Sequence, residues 1–158
     1  MILDPHGLIE RYIRTHKIHF PRALQEIRQG QKQSHWSWYL LPTPPWIVGG
    51  IEKGSMINQS FALRSDAQAK AYLTFPRNDG VHLRQNYVDI VTAIRDALRS
   101  GVSFTKLLGS LDDPKARSSL RYFERISGEV GDRELQSLCR EVLGMIKDGQ
   151  GSVCCSAL

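Results

Sequence analysis

Two short stretches hold most of the residue types from which a binding or catalytic site is built. The first is Ser34-His35-Trp36-Ser37-Trp38-Tyr39-Leu40-Leu41-Pro42. Trp and Tyr each join a large apolar face to one polar tip, and an imidazole changes charge near neutral pH. On a short helix Trp36, Tyr39 and Leu40 share one face, while His35 and Trp38 lie on a neighbouring one. The second stretch is Asp112-Asp113-Pro114-Lys115-Ala116-Arg117-Ser118-Ser119. It reads as a helix start, with an aspartate as cap and Pro114 in the first turn. Unpaired N–H groups and a partial positive charge make such an end receptive to anions.

These features predict a site for an anionic, nucleotide-like small molecule. Lys115, Arg117, Ser118 and Ser119 would contact the anion, Arg by two parallel hydrogen bonds. Trp36 and Trp38 would offer faces for stacking, with Ser34 and His35 alongside. Asp112 and Asp113 stand in the same stretch and work against a bare phosphate, because they already occupy the positive end. The competing reading is structural: a core helix of aromatics, and a capped helix whose serines bond to the aromatic segment's backbone. An enzymatic variant gives His35 the role of acid or base in a hydrolase or glycosidase acting on a nucleotide derivative. Asp112 or Asp113 would orient His35 if the two stretches meet. Ser34 is not its nucleophile, because sequence neighbours on a helix do not face each other.

The elements that must position these residues are helical. Asp4 caps a first helix over about 4–16, with Leu8, Ile9, Tyr12 and Ile13 as its stripe. Phe20-Pro21 opens a second, stopped by Gly30. Ser34 caps the aromatic helix, which Pro42 ends. Ser65-Asp66 starts a helix through about Leu73. The clearest periodicity runs from about Val81 to Ser100, with Leu83, Tyr87, Ile90 and Ile94 on one side. Ser103 caps a short turn, Phe104 to Leu108. Beyond the twin aspartates, Ala116, Leu120 and Phe123 face inward, and Ser127-Gly128 ends that helix. The last spans about Asp132 to Lys147 with Leu135, Leu138, Cys139, Val142, Leu143 and Ile146 inward. The expectation is an all-α domain of six or seven helices over residues 1–148, with a disordered tail at 149–158. Residues 42–60, with Pro42, Pro44, Pro45, Gly49, Gly50 and Gly54, are read as a long loop packed across the aromatic helix, a lid or a surface for a protein partner. Trp46-Ile47-Val48 is too short to build a sheet.

Composition sets outer limits. At 158 residues with 41% hydrophobic content, the chain is long enough for one core. The net charge of +5 is spread without a basic block, and no nucleic-acid-binding module is recognisable. No apolar run is long enough to span a bilayer, and Met1-Ile2-Leu3-Asp4-Pro5-His6 does not read as a secretory leader. The expected location is cytoplasmic. Three cysteines, Cys139, Cys154 and Cys155, fit reduced thiols and lack zinc-ligand spacing, so no metal and no cofactor is expected. Cys155-Ser156-Ala157-Leu158 matches the outline of a prenylation signal, although Ser156 is a poor aliphatic position.

Three segments in order carry a family resemblance: Ser34 to Pro42, Ala69-Lys70-Ala71-Tyr72-Leu73, and Gly109 to Leu120. Over roughly residues 8–145 the chain resembles the domain of unknown function 1810 family, some of whose members carry a calpastatin label. The resemblance implies a compact all-α fold and no established catalytic activity. The family tends to follow its Ser-His-Trp segment with Phe-Pro-Gln. Leu41, Pro42 and Thr43 stand there instead, and the Pro44-Pro45-Trp46 stretch also departs.

Overall fold

The computed structural model describes residues 2–154, with side chains described through Ile146. Among them are eight α-helices, a π-helical turn and one two-stranded hairpin. The Asp4 carboxylate accepts from the Leu8 and Ile9 N–H groups, at 2.7 and 2.9 Å, and so caps the π-turn Ile9–Ile13. That turn runs without a break into α1 (Arg14–Arg28). The predicted division at Phe20-Pro21 is therefore wrong. Pro21 lies inside α1 on its exposed face, as does Lys17, whose carbonyl loses its partner. Lys17 and Pro21 are exposed, while Ala23 and Ile27 remain buried on the other side.

Helix α2 (Ser37–Leu40) is followed by β1 (Ile47–Val48), β2 (Ile51–Glu52) and α3 (Met56–Ser60). The stretch taken for a loop thus contains an antiparallel hairpin and a helical turn. Gly49 and Gly50, with φ of 59° and 79°, make the tight turn that L side chains resist and that lets two short runs pair. Next come α4 (Asp66–Thr74), α5 (Leu83–Arg99), α6 (Phe104–Leu108), α7 (Asp113–Glu129) and α8 (Arg133–Cys154). Ser65 and Ser103 cap α4 and α6 as expected, accepting from the Gln68 and Lys106 N–H groups. Helix α8 carries on past the end at Lys147 that its stripe predicts. Cys155 lies outside the described residues.

Helix α5 is the centre of the packing, touching α1, α2, α4, α6 and α8, while α7 lies along α8 and α4. Its Leu83, Tyr87, Ile90, Val91 and Ile94 are buried. Tyr87 meets Phe123 of α7 at 4.6 Å between ring centres, and Phe123 in turn meets Tyr72 of α4. Cys139 is buried in α8, and burial raises its thiol pKa, so it acts as a small core residue. Among the described residues no helix is long and apolar enough to cross a membrane.

Candidate functional site

The aromatic segment is held from below by a carboxylate. Glu26 sits on the inward side of α1 between Ala23 and Ile27, and all three are buried. Its Oε1 accepts from Gln33 N–H at 2.9 Å, Ser34 N–H at 3.1 Å and the Trp36 indole Nε1 at 2.9 Å. Its Oε2 accepts from the Ser34 hydroxyl at 2.6 Å and from Arg22 Nε at 3.2 Å. Burial alone would raise the pKa of this group. The hydrogen bonds from Ser34, Trp36 and Gln33 outweigh that and hold it at about 2. Ser34 is therefore not a helix cap: its hydroxyl donates to Glu26, and the residue preceding α2 is Trp36, without a side-chain cap.

The two faces of the segment separate as its spacing predicts. Trp36 and Leu40 are buried, and Tyr39 stacks on His19 at 4.9 Å. His35 is exposed and Trp38 half-buried, with their rings 6.3 Å apart. Trp36 is thus a core residue and has no face left for a ligand. Ser37 is buried, and among the described residues its Oγ alone of the buried side-chain N and O atoms lacks a hydrogen-bond partner.

Lys32 brings the two stretches together. Its side chain is 5% exposed, and its Nζ lies 2.7 Å from Asp112 Oδ2 and 2.6 Å from the Ser34 carbonyl. The same ammonium stands 4.9 Å over the Trp36 ring. The Lys32 N–H also donates to the Leu107 carbonyl of α6 at 2.8 Å. Asp112 therefore faces Lys32 and supplies no cap to α7. Asp113 does not cap either. It is buried, paired with the equally buried Arg117 one turn on, and accepts from Thr105 Oγ1 at 2.5 Å. Arg117 lies 5.2 Å over Phe104. Ser119 is also buried, with its hydroxyl 3.0 Å from that of Tyr87. Ser118 is half-buried. Arg117 and Ser119 are thus committed to the interior, and so is Trp36.

Lys115 differs from the cations around it. Its Nζ donates to Asn58 Oδ1 of α3 at 2.7 Å, and no carboxylate forms an ion pair with it among the described residues. Burial lowers its pKa to about 8, against the opposing pull of Asp112. In the first turn of α7 the Asp113 N–H goes to Gly109 and the Ala116 N–H to Asp112. Pro114 has no N–H, and among the described residues no hydrogen bond is formed by that of Lys115.

Sequence reasoning passed over Glu26 and Lys32 as organisers. Glu26 left a trace, a carboxylate on the buried side of an amphipathic helix. His16, buried in α1, also went unrecognised. Its Nε2 meets the Tyr39 carbonyl at 2.8 Å and the Tyr72 hydroxyl at 3.2 Å, and its Nδ1 meets Asn86 Nδ2 at 3.1 Å. Among the described residues no set of His, Cys, Asp and Glu could hold a metal ion.

The sequence profile of DUF1810, a protein of unknown function, matches residues 6–152, and the chain belongs to that family. No curated protein matches it. Among solved structures the chain is similar to the conserved hypothetical protein Rv1873 from Mycobacterium tuberculosis, with 21% identity, a TM-score of 0.72 and 98% of each chain covered. At that identity the likeness establishes the mostly helical fold alone.

Proposed function

We propose that this DUF1810 member binds a small anion of the phosphate or nucleotide kind at the start of α7, with Lys115 as the charged contact. The supporting observation is the state of Lys115. It is an ammonium with a neutral partner, beside the open N–H of the same residue, whereas the cations around it already face carboxylates. An anion there would meet the positive end of a 17-residue helix and an ammonium with no direct carboxylate partner among the described residues, although Asp112 acts on it from nearby. His35 is exposed and Trp38 half-buried, and in this reading a planar group would rest against them, in the segment that Lys32 ties to Asp112 at the same helix start. The reading with His35 as acid or base has weaker support, since Asp112 turns its carboxylate to Lys32 and Asp113 to Arg117.

Calorimetric titration with inorganic phosphate and with a panel of nucleotides and sugar phosphates tests this. At least one is expected to bind, and Lys115→Met is expected to weaken it about tenfold or more. Binding should also decline as pH rises through about 8, where Lys115 loses its proton. Absence of binding across the panel, or equal binding by Lys115→Met, would refute the proposal.

A further inference from the structure

The hairpin carries an apolar face that is at least half exposed. Directly opposed residues of an antiparallel pair share a face, and successive residues alternate. Val48 opposes Ile51, and Trp46 accepts from the Lys53 N–H through its carbonyl at 2.7 Å. Trp46, Val48 and Ile51 therefore lie on one face with Lys53 at its base, while Ile47 and Glu52 lie on the other. Exposure is 50% for Trp46, 50% for Val48 and 61% for Ile51, and Met56 just beyond is 86% exposed. A β-carbon placed on Gly49 or Gly50 would have no atom within 4 Å, so the turn is open on that side.

An open groove of about 460 Å³, lined by Arg11, Met56, Gln59, Ser60 and Arg64, adjoins the hairpin on its Glu52 side. The Arg11 guanidinium donates to neutral oxygens: the carbonyls of His6, Ser60 and Ala62, and Gln68 Oε1. Its charge has no carboxylate partner among the described residues. Arg64 links groove to hairpin through both oxygens of Glu52, at 2.9 Å each. Between residues 43 and 64 Glu52 is the single acidic residue, against Lys53 and Arg64, in a chain of net charge +5. An exposed tip of Trp and branched aliphatics, with Lys53 at its base and Arg11 in the adjoining groove both lacking a carboxylate partner among the described residues, has the chemistry of a segment that enters the boundary of an acidic bilayer.

We infer that the hairpin docks this protein on an anionic phospholipid surface. Trp46, Val48 and Ile51 enter the headgroup boundary, Met56 follows, and a lipid phosphate sits in the groove beside Arg11. Its residues differ from those that hold Lys115, although α3 contributes to both.

Co-sedimentation of the full chain with phosphatidylcholine vesicles, with and without phosphatidylserine, tests this. The protein is expected to pellet with the acidic vesicles and not with the neutral ones. Ile51→Asp is expected to lower the bound fraction about tenfold, with an unchanged circular dichroism spectrum. A blue shift of tryptophan emission on binding is expected, and Trp46→Phe should remove it. Free inorganic phosphate at equal concentration should not release the protein. Equal pelleting with both vesicle types, or no effect of Ile51→Asp, overturns the inference. A solution dimer that Ile51→Asp converts to monomer also overturns it, because the face would then belong to a second copy of the chain.

Discussion

Replacing Glu26 by glutamine keeps the shape of the side chain and removes its charge. The carboxylate accepts from three buried or half-buried donors at one oxygen and from the Ser34 hydroxyl at the other. Its folded pKa is about 2 against an ordinary 4.5. A depression of that size corresponds to roughly 3 kcal/mol of stability. Because the folded value lies below the unfolded one, this stability is complete above pH 4.5 and is lost as pH falls toward about 2. An amide can still accept at Oε1, so Glu26→Gln gives up the charge-assisted part of each bond, and the loss at neutral pH should be roughly 2–4 kcal/mol. Arg22 adds little, since its side chain is 72% exposed. Urea unfolding of both proteins, followed by far-UV circular dichroism across a pH series, measures the difference. The gap between them should be largest at neutral pH and narrow steadily below pH 4.5. A gap under about 1 kcal/mol at neutral pH, or one that does not change on acidification, would refute the assignment of Glu26 as the charged anchor of residues 33–36.

Two further outcomes follow from the buried ionisable groups. Arg117→Met strands the buried Asp113 carboxylate and should cost roughly 3–5 kcal/mol, with part of the loss recovered by adding Asp113→Asn; urea midpoints of the single and double variants check this. His16 is buried, and burial lowers its pKa to about 4, against the bond to the Tyr39 carbonyl that pulls it up. Its unfolded form takes up a proton from pH 6.5 downward while the folded form does not, so stability should fall by roughly 3 kcal/mol between pH 6.5 and about 4. An NMR titration that finds the His16 ring charging above pH 6 would contradict this.

How much of this was legible in the chain depends on the range of the interaction concerned. Helices α5, α7 and α8 could be read directly, because a 3.6-residue period of Leu, Ile, Val and aromatics is imposed by burying one side of a helix. The Ser65 and Ser103 caps and the assignment of Trp36 and Leu40 to one face needed only neighbours within four residues. Pro21 misled for the same reason. A local rule counts the lost hydrogen bond, whereas the continuity of α1 comes from the contacts of its buried side with α5. The hairpin was hidden because two-residue strands carry no period, and the Gly49-Gly50 turn alone signals them.

The candidate site divides along the same line. Sequence alone placed an aromatic segment and a charged helix start in this chain and assigned their secondary structure, since both are set by local sterics and periodicity. Tertiary structure chose the partner of each charge. Lys32 reaches Asp112 across 80 positions, Asp113 takes Arg117 and Thr105, and Glu26 gathers the turn before Trp36. A charged side chain carries no mark of its partner. Burial requires only that an opposite charge or a hydrogen bond be present, and the packing of α1, α6 and α7 decides which residue provides it.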